Sequence, residues 1–273
     1  MARLPAVADR FYPGSQAALS REVKKLIGIT PVSRQKALAV VSPHAGYIYS
    51  GGVAAETLRQ VIVPETVIVL GPNHHGQGAE VALSTSTWAM PMGDVPIDMV
   101  LAERILTGSP FIKKDETAHR FEHSLEVQVP FLQEMQPNLS IVPLVISHIS
   151  YPMCEKVANI LVESIKESGK DVLIVASSDM THYESRRVAT RKDSLALDKL
   201  LGLDPAGLYQ IVVDERITMC GFIPATIALL ASLQCGARQA RLVRYTDSGE
   251  VSGDTDQVVG YAGVIISLYK TSV

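Results

Sequence analysis

Five apolar, β-branched runs are spaced along the chain: ALAVVS (37–42), TVIVLG (66–71), SIVPLVIS (140–147), DVLIVASS (171–178) and VVGYAGVIIS (258–267). Runs this continuous read as strands buried on both faces, because a strand with one wet face would alternate apolar and polar residues. Helical patterns lie between them. Ala54, Leu58 and Val61 make a stripe after the first run, and Cys154, Val157, Ala158, Leu161 and Ile165 make another ahead of DVLIVASS. DSLALDKLL and IPATIALLASLQCG also read as helices, the second stopped by Gly236 as its C-terminal cap. This order predicts an α/β layered sandwich with a largely parallel central sheet flanked by helices, and leaves the strand order open. No internal repeat, low-complexity tract or linker-like run interrupts the pattern, so one domain over residues 1–273 is expected.

Composition narrows the class of function. With 47% hydrophobic and 19% charged residues the chain can build a core. A net charge of -3 without a basic stripe argues against nucleic acid as a partner. The N-terminus MARLPAVADRFYPG has no apolar signal-peptide core, and no run of about 18 apolar residues occurs, so a cytoplasmic protein with no membrane association is expected. Cys154, Cys220 and Cys235 are too few and too scattered for a disulfide framework and are expected as thiols.

In open α/β sheets, ligands bind in the crevice beyond the carboxyl ends of the strands. Three of the runs deliver chemically competent side chains to that edge: His44 after ALAVVSP, His74 and His75 after VIVLGPN, and Asp179 and His182 after VLIVASS. Each has an ordinary reading as a turn or capping residue, but their coincidence predicts one shared site. Of the adjacent histidines only one is expected to coordinate, and the sequence does not choose between them. IVPLVISH is a fourth such case, ending in His148; His148 and His119 are expected as surface or loop residues. EHSLEVQVP offers Glu122, His123 and Glu126, which fit either a helix start at Ser124 or a role in the site. GYIYSGGV has the glycine spacing of a phosphate-binding P-loop, but Gly52 and Val53 stand where that loop needs Lys and Ser or Thr, so it is rejected. Cys220, in MCGFIPA, precedes a helix whose N-terminus would lower a thiol pKa, which makes it the expected reactive thiol. Cys154 and Cys235 read as packing residues.

PHAGYIYSG, LGPNHH, EHSLEVQVPF, SSDMTHY, MCGFIPA and VVGYAGV occur in the order of the Memo family, and ADRFYPGS resembles that family's N-terminal segment. The resemblance covers nearly the whole chain. It implies the fold of the class III extradiol dioxygenases, with a non-haem metal site at the strand ends. It also implies His44, His74 and Cys220 as metal ligands, Asp179 and His182 in the same pocket with His182 as the acid/base histidine, and His123 in the surrounding shell. Ring-cleaving relatives hold ferrous iron with two histidines and a carboxylate. Here the third ligand that the resemblance implies is a cysteine, whose softer thiolate favours iron (Fe2+) or copper over magnesium or calcium. The expected activity is therefore that of a metal-dependent oxidoreductase of dioxygenase-like architecture. The competing expectation is a non-catalytic adaptor or metal carrier that binds a peptide or partner protein in the same pocket. The family resemblance further implies an AMMECR-type protein and a radical SAM protein as partners, with an unspecified small molecule or peptide as ligand.

Overall fold

The computed structural model describes residues 2–268; residue 1 and residues 269–273 of the expected domain lie outside them. The strands are β1 (Ala39–Ser42), β2 (Thr66–Pro72), β3 (Val81–Leu83), β4 (Trp88–Met90), β5 (Gly93–Val95) and β6 (Ile112–Lys114), followed by β7 (Ser140–Ile146), β8 (Val172–Ser177), β9 (His182–Glu184), β10 (Gln239–Asp247) and β11 (Val258–Ser267). The helices are α1 (Gln16–Ile27), α2 (Gly52–Leu58), α3 (Met99–Thr107), α4 (Val129–Met135) and α5 (Tyr151–Ser168), then α6 (Arg186–Leu201), α7 (Pro205–Asp214), α8 (Phe222–Gln234) and α9 (Gly249–Ser252).

One sheet runs in the order β10-β11-β1-β8-β2-β7-β3-β6, with β9 paired to β11. Its centre, β1, β8, β2 and β7, is parallel throughout. Its flanks change direction: β11 is antiparallel to β1 and β10, and β3 is antiparallel to β7. All five apolar runs are strands of this sheet, and β1 and β2 are buried along their whole length. α2 packs on β1, β10 and β11. α8 packs on β1, β2 and β8 and is backed by α5 and α7. α5 presents Cys154, Val157, Ala158 and Leu161 to the interior, as its stripe predicts, and Gly236 after α8 takes a left-handed φ of 89°. GYIYSGGV forms a π-helical turn, Tyr47–Gly51, that runs into α2, and so is no phosphate loop.

Register is what positions the site. Ser42 pairs with Ser177, and Pro72 pairs with Ile146, so the carboxyl ends of β1, β8, β2 and β7 finish along one edge. The segments that follow, carrying His44, His74, Asp179 and His148, leave the sheet together. Two glycines let other loops close on that edge. A Cβ on Gly71 would collide with Ser124 and Leu125, and one on Gly221 would collide with the Ser177 carbonyl and Ser178. The bare backbone at these positions admits the loop carrying Glu122 and His123, and the turn carrying Cys220.

Candidate metal centre

His44 is 2% exposed and its ring orientation is dictated by a buried hydroxyl. The Ser177 Oγ–H donates to the Ser124 carbonyl (2.6 Å), and the same oxygen accepts from Gln128 Nε2 (2.8 Å). Gln128 Nε2 is also turned toward the Pro43 carbonyl (2.9 Å), which only an N–H group can satisfy. The one hydroxyl proton is thus committed, and the contact of His44 Nδ1 with Ser177 Oγ (3.0 Å) requires the proton on Nδ1. His44 Nε2 is left with its lone pair, as a metal-ligating imidazole needs. Burial, followed by the charges of His123 and His74, holds its pKa well below the usual histidine range, so the neutral ring is the resting form.

His74 is oriented by a carboxylate. Glu122 accepts the His74 backbone N–H through Oε2 (2.8 Å) and Nδ1–H through Oε1 (2.9 Å). Burial alone would raise the Glu122 carboxyl, but the hydrogen bond and charge of His74, the charge of His123 and the Ser124 N–H hold it far below the ordinary range. The ionised acceptor fixes the Nδ1–H tautomer and leaves His74 Nε2 free, the carboxylate–histidine pairing that raises a ligand's basicity. His123 stacks on His74 with ring centroids 4.6 Å apart, and its centroid is 5.4 Å from that of His44. Burial lowers the His123 pKa to about 4, and the Phe11 ring covers it at 4.9 Å. One ligating atom from each of His44, His74 and His123 falls within 4.8 Å of the others, a spacing compatible with a single metal ion.

Cys220 borders this trio. Its Sγ is 3.1 Å from His44 Nε2 and accepts the Asp179 N–H at 3.3 Å. With the His44 proton on Nδ1, Nε2 is the nearer of two acceptors for the thiol hydrogen, the other being the Asp179 carbonyl at 3.7 Å. Here the structure corrects an expectation: Cys220 lies beyond the N-terminal end of α8, but burial and then the Asp179 carboxylate push its thiol up, so without metal it is no reactive thiolate. Asp179 accepts the His44 backbone N–H (2.7 Å), tying two strand ends together, and burial raises its carboxyl to about 6. His182, on β9, donates its backbone N–H to Thr218 Oγ1 (2.7 Å) and its Nδ1–H to the Thr218 carbonyl (2.9 Å), so its Nε2 is unencumbered. It stands outside the trio.

Of the residues expected from the sequence, His44, His74, Cys220, Asp179 and His123 come together. His75 turns away, its Nε2 on the Phe121 carbonyl (2.9 Å), so of the adjacent histidines it is His74 that faces His44 and His123. His123, expected in the surrounding shell, is a member of the converging trio. His119 lies in a turn, as a loop residue should, but it is 1% exposed and not at the surface: its Nε2 bonds the Ala82 carbonyl (3.0 Å) beside Trp88. EHSLEVQVP does open a helix: after a turn at Ser124, Glu126–Gln128 form a 3-10 turn that runs into α4, and two of its acids have further tasks. Glu122 orients His74, and Glu126 is buried against Arg3, Tyr12 and the backbone of residues 6 and 7. Ser177 and Gln128 carry no such signal in the sequence: a Ser ending an apolar run looks like a simple strand terminus, and Ser124, read there as a helix start, serves the site through its backbone carbonyl.

The sequence has close counterparts. It is 41% identical over 265 residues to a MEMO1 family protein of Methanosarcina mazei, covering 97% of this chain and 98% of that one. It is also 41% identical to a MEMO1 family protein of Aquifex aeolicus, covering 96% and 98%. Among solved structures, the uncharacterized Escherichia coli K12 protein JW3007 superimposes with a TM-score of 0.55 at 15% identity, over 81% of this chain and 98% of that one, a likeness of fold alone. The model of the family described as Memo-like protein matches residues 3–265, and with relatives of this identity over this length the chain belongs to the Memo family.

Proposed function

We propose that this chain holds one redox-active transition metal, ferrous iron first and copper second, between His44 Nε2, His74 Nε2 and Cys220 Sγ, and acts as a metal-dependent oxidoreductase of dioxygenase-like architecture. The observation that carries the reading is the pair of committed Nδ1 protons, on Ser177 for His44 and on Glu122 for His74, which leaves the Nε2 lone pairs of two neighbouring imidazoles available, that of His44 only 3.1 Å from Cys220 Sγ. Two imidazole nitrogens and a sulfur suit iron or copper and leave positions open for a further ligand. Bound there, the metal would supply Lewis-acid and redox chemistry.

The chain's own residues supply the rest. Cys220 gives up its proton as it becomes a ligand, so uptake releases protons. Asp179 holds the His44 turn, and burial of His44 keeps bulk water from its side of the site. His182, anchored through Nδ1, has Nε2 available to take or return a proton. A second ligand set is favoured by one observation, the convergence of His44, His74 and His123. In that case Cys220 is a neighbour of the metal instead of a ligand.

The alternative use of the pocket is non-catalytic: binding of a peptide or partner, with AMMECR-type and radical SAM proteins as the partners to try first, in the cytoplasm. Among the described residues no helix is long and apolar enough to cross a membrane. Oxygen consumption by iron-loaded protein with a panel of phenols separates the two. The oxidoreductase reading predicts uptake with at least one phenol, lost in His182→Ala while metal is retained. No uptake with any of them would favour the binding role, and metal loss in His182→Ala would make that residue a ligand.

A further inference from the structure

His148, which follows β7, has no part in the centre described so far. It is exposed, its ring lies 5.3 Å from that of Phe222, and neither ring nitrogen has a hydrogen-bond partner among the described residues. It nevertheless lines a cavity of about 110 Å³ whose wall also includes His74, Cys220, Asn73 and Ser147. Asn73 donates through Nδ2 to the Gln77 carbonyl (2.8 Å) and Ser147 Oγ (3.0 Å). Its Oδ1 is left buried without a partner. The cavity therefore joins solvent to two proposed ligands along a wall whose residues include two histidines, Asn73, Ser147 and Cys220, and it contains no Lys or Arg.

The other approach differs in charge. A cavity of about 370 Å³ reaches His123 past Arg10, Phe11, His75 and Phe121. Arg10 has no carboxylate partner among the described residues, so its guanidinium stands at that mouth as a fixed positive charge. At that mouth an approaching metal dication meets a like charge, which the lining of the His148 cavity lacks. A volume of about 110 Å³ is a few water molecules' worth at about 30 Å³ each, enough for an ion that has begun to exchange water for protein donors.

We propose that His148 is a transit ligand, which captures a divalent metal ion at the surface and passes it through the cavity beside Asn73 to His74 and Cys220. The inference rests on the metal reading above and concerns the route, not the resident site. In the transfer, a water ligand is first replaced by a ring nitrogen of His148, and that bond then breaks as His74 Nε2 and Cys220 Sγ bind, the thiol proton leaving to solvent.

The test uses Co2+ as probe, mixed anaerobically in stopped flow with metal-free full-length protein and followed by its ligand-field absorption. His148→Ala and His148→Phe, the latter keeping an aromatic ring against Phe222, should load about tenfold more slowly or worse. Both should reach the wild-type stoichiometry and spectrum, and Arg10→Ala should load no more slowly than wild type. Wild-type loading rates in both His148 variants would overturn the transit role, as would reduced final stoichiometry, which would make His148 a resident ligand. Failure of the wild-type protein to take up Co2+ at all would instead sink the metal reading and this inference with it.

Discussion

Glu126→Ala is expected to destabilise the protein by about 3–5 kcal/mol, the range for removing one partner of a buried ion pair. Glu126 and Arg3 are paired at 2.7 Å with their side chains 0% and 4% exposed. The same carboxylate accepts the backbone N–H groups of Ala6 (2.7 Å) and Val7 (3.0 Å) and the Tyr12 hydroxyl (2.5 Å). Burial, and then Glu126 itself, keep the Tyr12 proton in place as a donor. Arg3 would keep its bonds to the carbonyls of His119 (2.7 Å) and Glu122 (2.6 Å), and its place over the Trp88 ring. Its charge would have no counter-ion, and three further donors would lose their acceptor. Against a typical total of about 5–15 kcal/mol, that is a large fraction of the stability. Urea unfolding at neutral pH measures it. A loss below about 1 kcal/mol, the size of an exposed pair, would mean the N-terminal segment is not held this way.

The second large effect is on metal affinity. Glu122→Ala removes the acceptor of the His74 Nδ1–H and of the His74 and Ser124 backbone N–H groups. Without it the His74 ring can exchange tautomers and rotate, and it loses the basicity that an ionised partner confers. Losses of about 10–100-fold are usual for such outer partners. Competition against a chelator of known affinity should therefore show Fe2+ or Co2+ held at least tenfold more weakly, with one ion per chain still reached at high metal. Unchanged affinity would mean that His74 is not a ligand or does not need its carboxylate.

Much of this was legible beforehand, for reasons that differ by element. β2 and β11 stand where the runs TVIVLG and VVGYAGVIIS put them, because burial on both faces writes an unbroken apolar signature. β10, QARLVRYTD, leaves no such mark: it is partly exposed along most of its length and carries two arginines, so no unbroken apolar run signals it. The three-residue strands β3 to β6 are too short for any period to register. In the site, His44 and His74 could be read because a parallel sheet delivers its strand ends to one edge. The place of His123 could not, since it sits in a loop whose path depends on Glu122, Glu126 and the close approach at Gly71, contacts made across long stretches of chain. The tautomer of His44 was equally hidden, because it follows from a hydroxyl on β8 shared among three segments.

The claim at the centre of this account is that two imidazoles with fixed tautomers, joined by Cys220, hold one metal ion per chain. Metal analysis of protein purified and reconstituted without oxygen tests it most directly when run on wild type, His44→Ala, His74→Ala, Cys220→Ala and His123→Ala together. The account predicts one iron per wild-type chain, strong depletion in the first three variants and near-full occupancy in His123→Ala. Depletion in His123→Ala with Cys220→Ala still loaded would replace the proposed set by the three histidines, and full stoichiometric metal in His44→Ala, His74→Ala and Cys220→Ala alike would contradict the site itself.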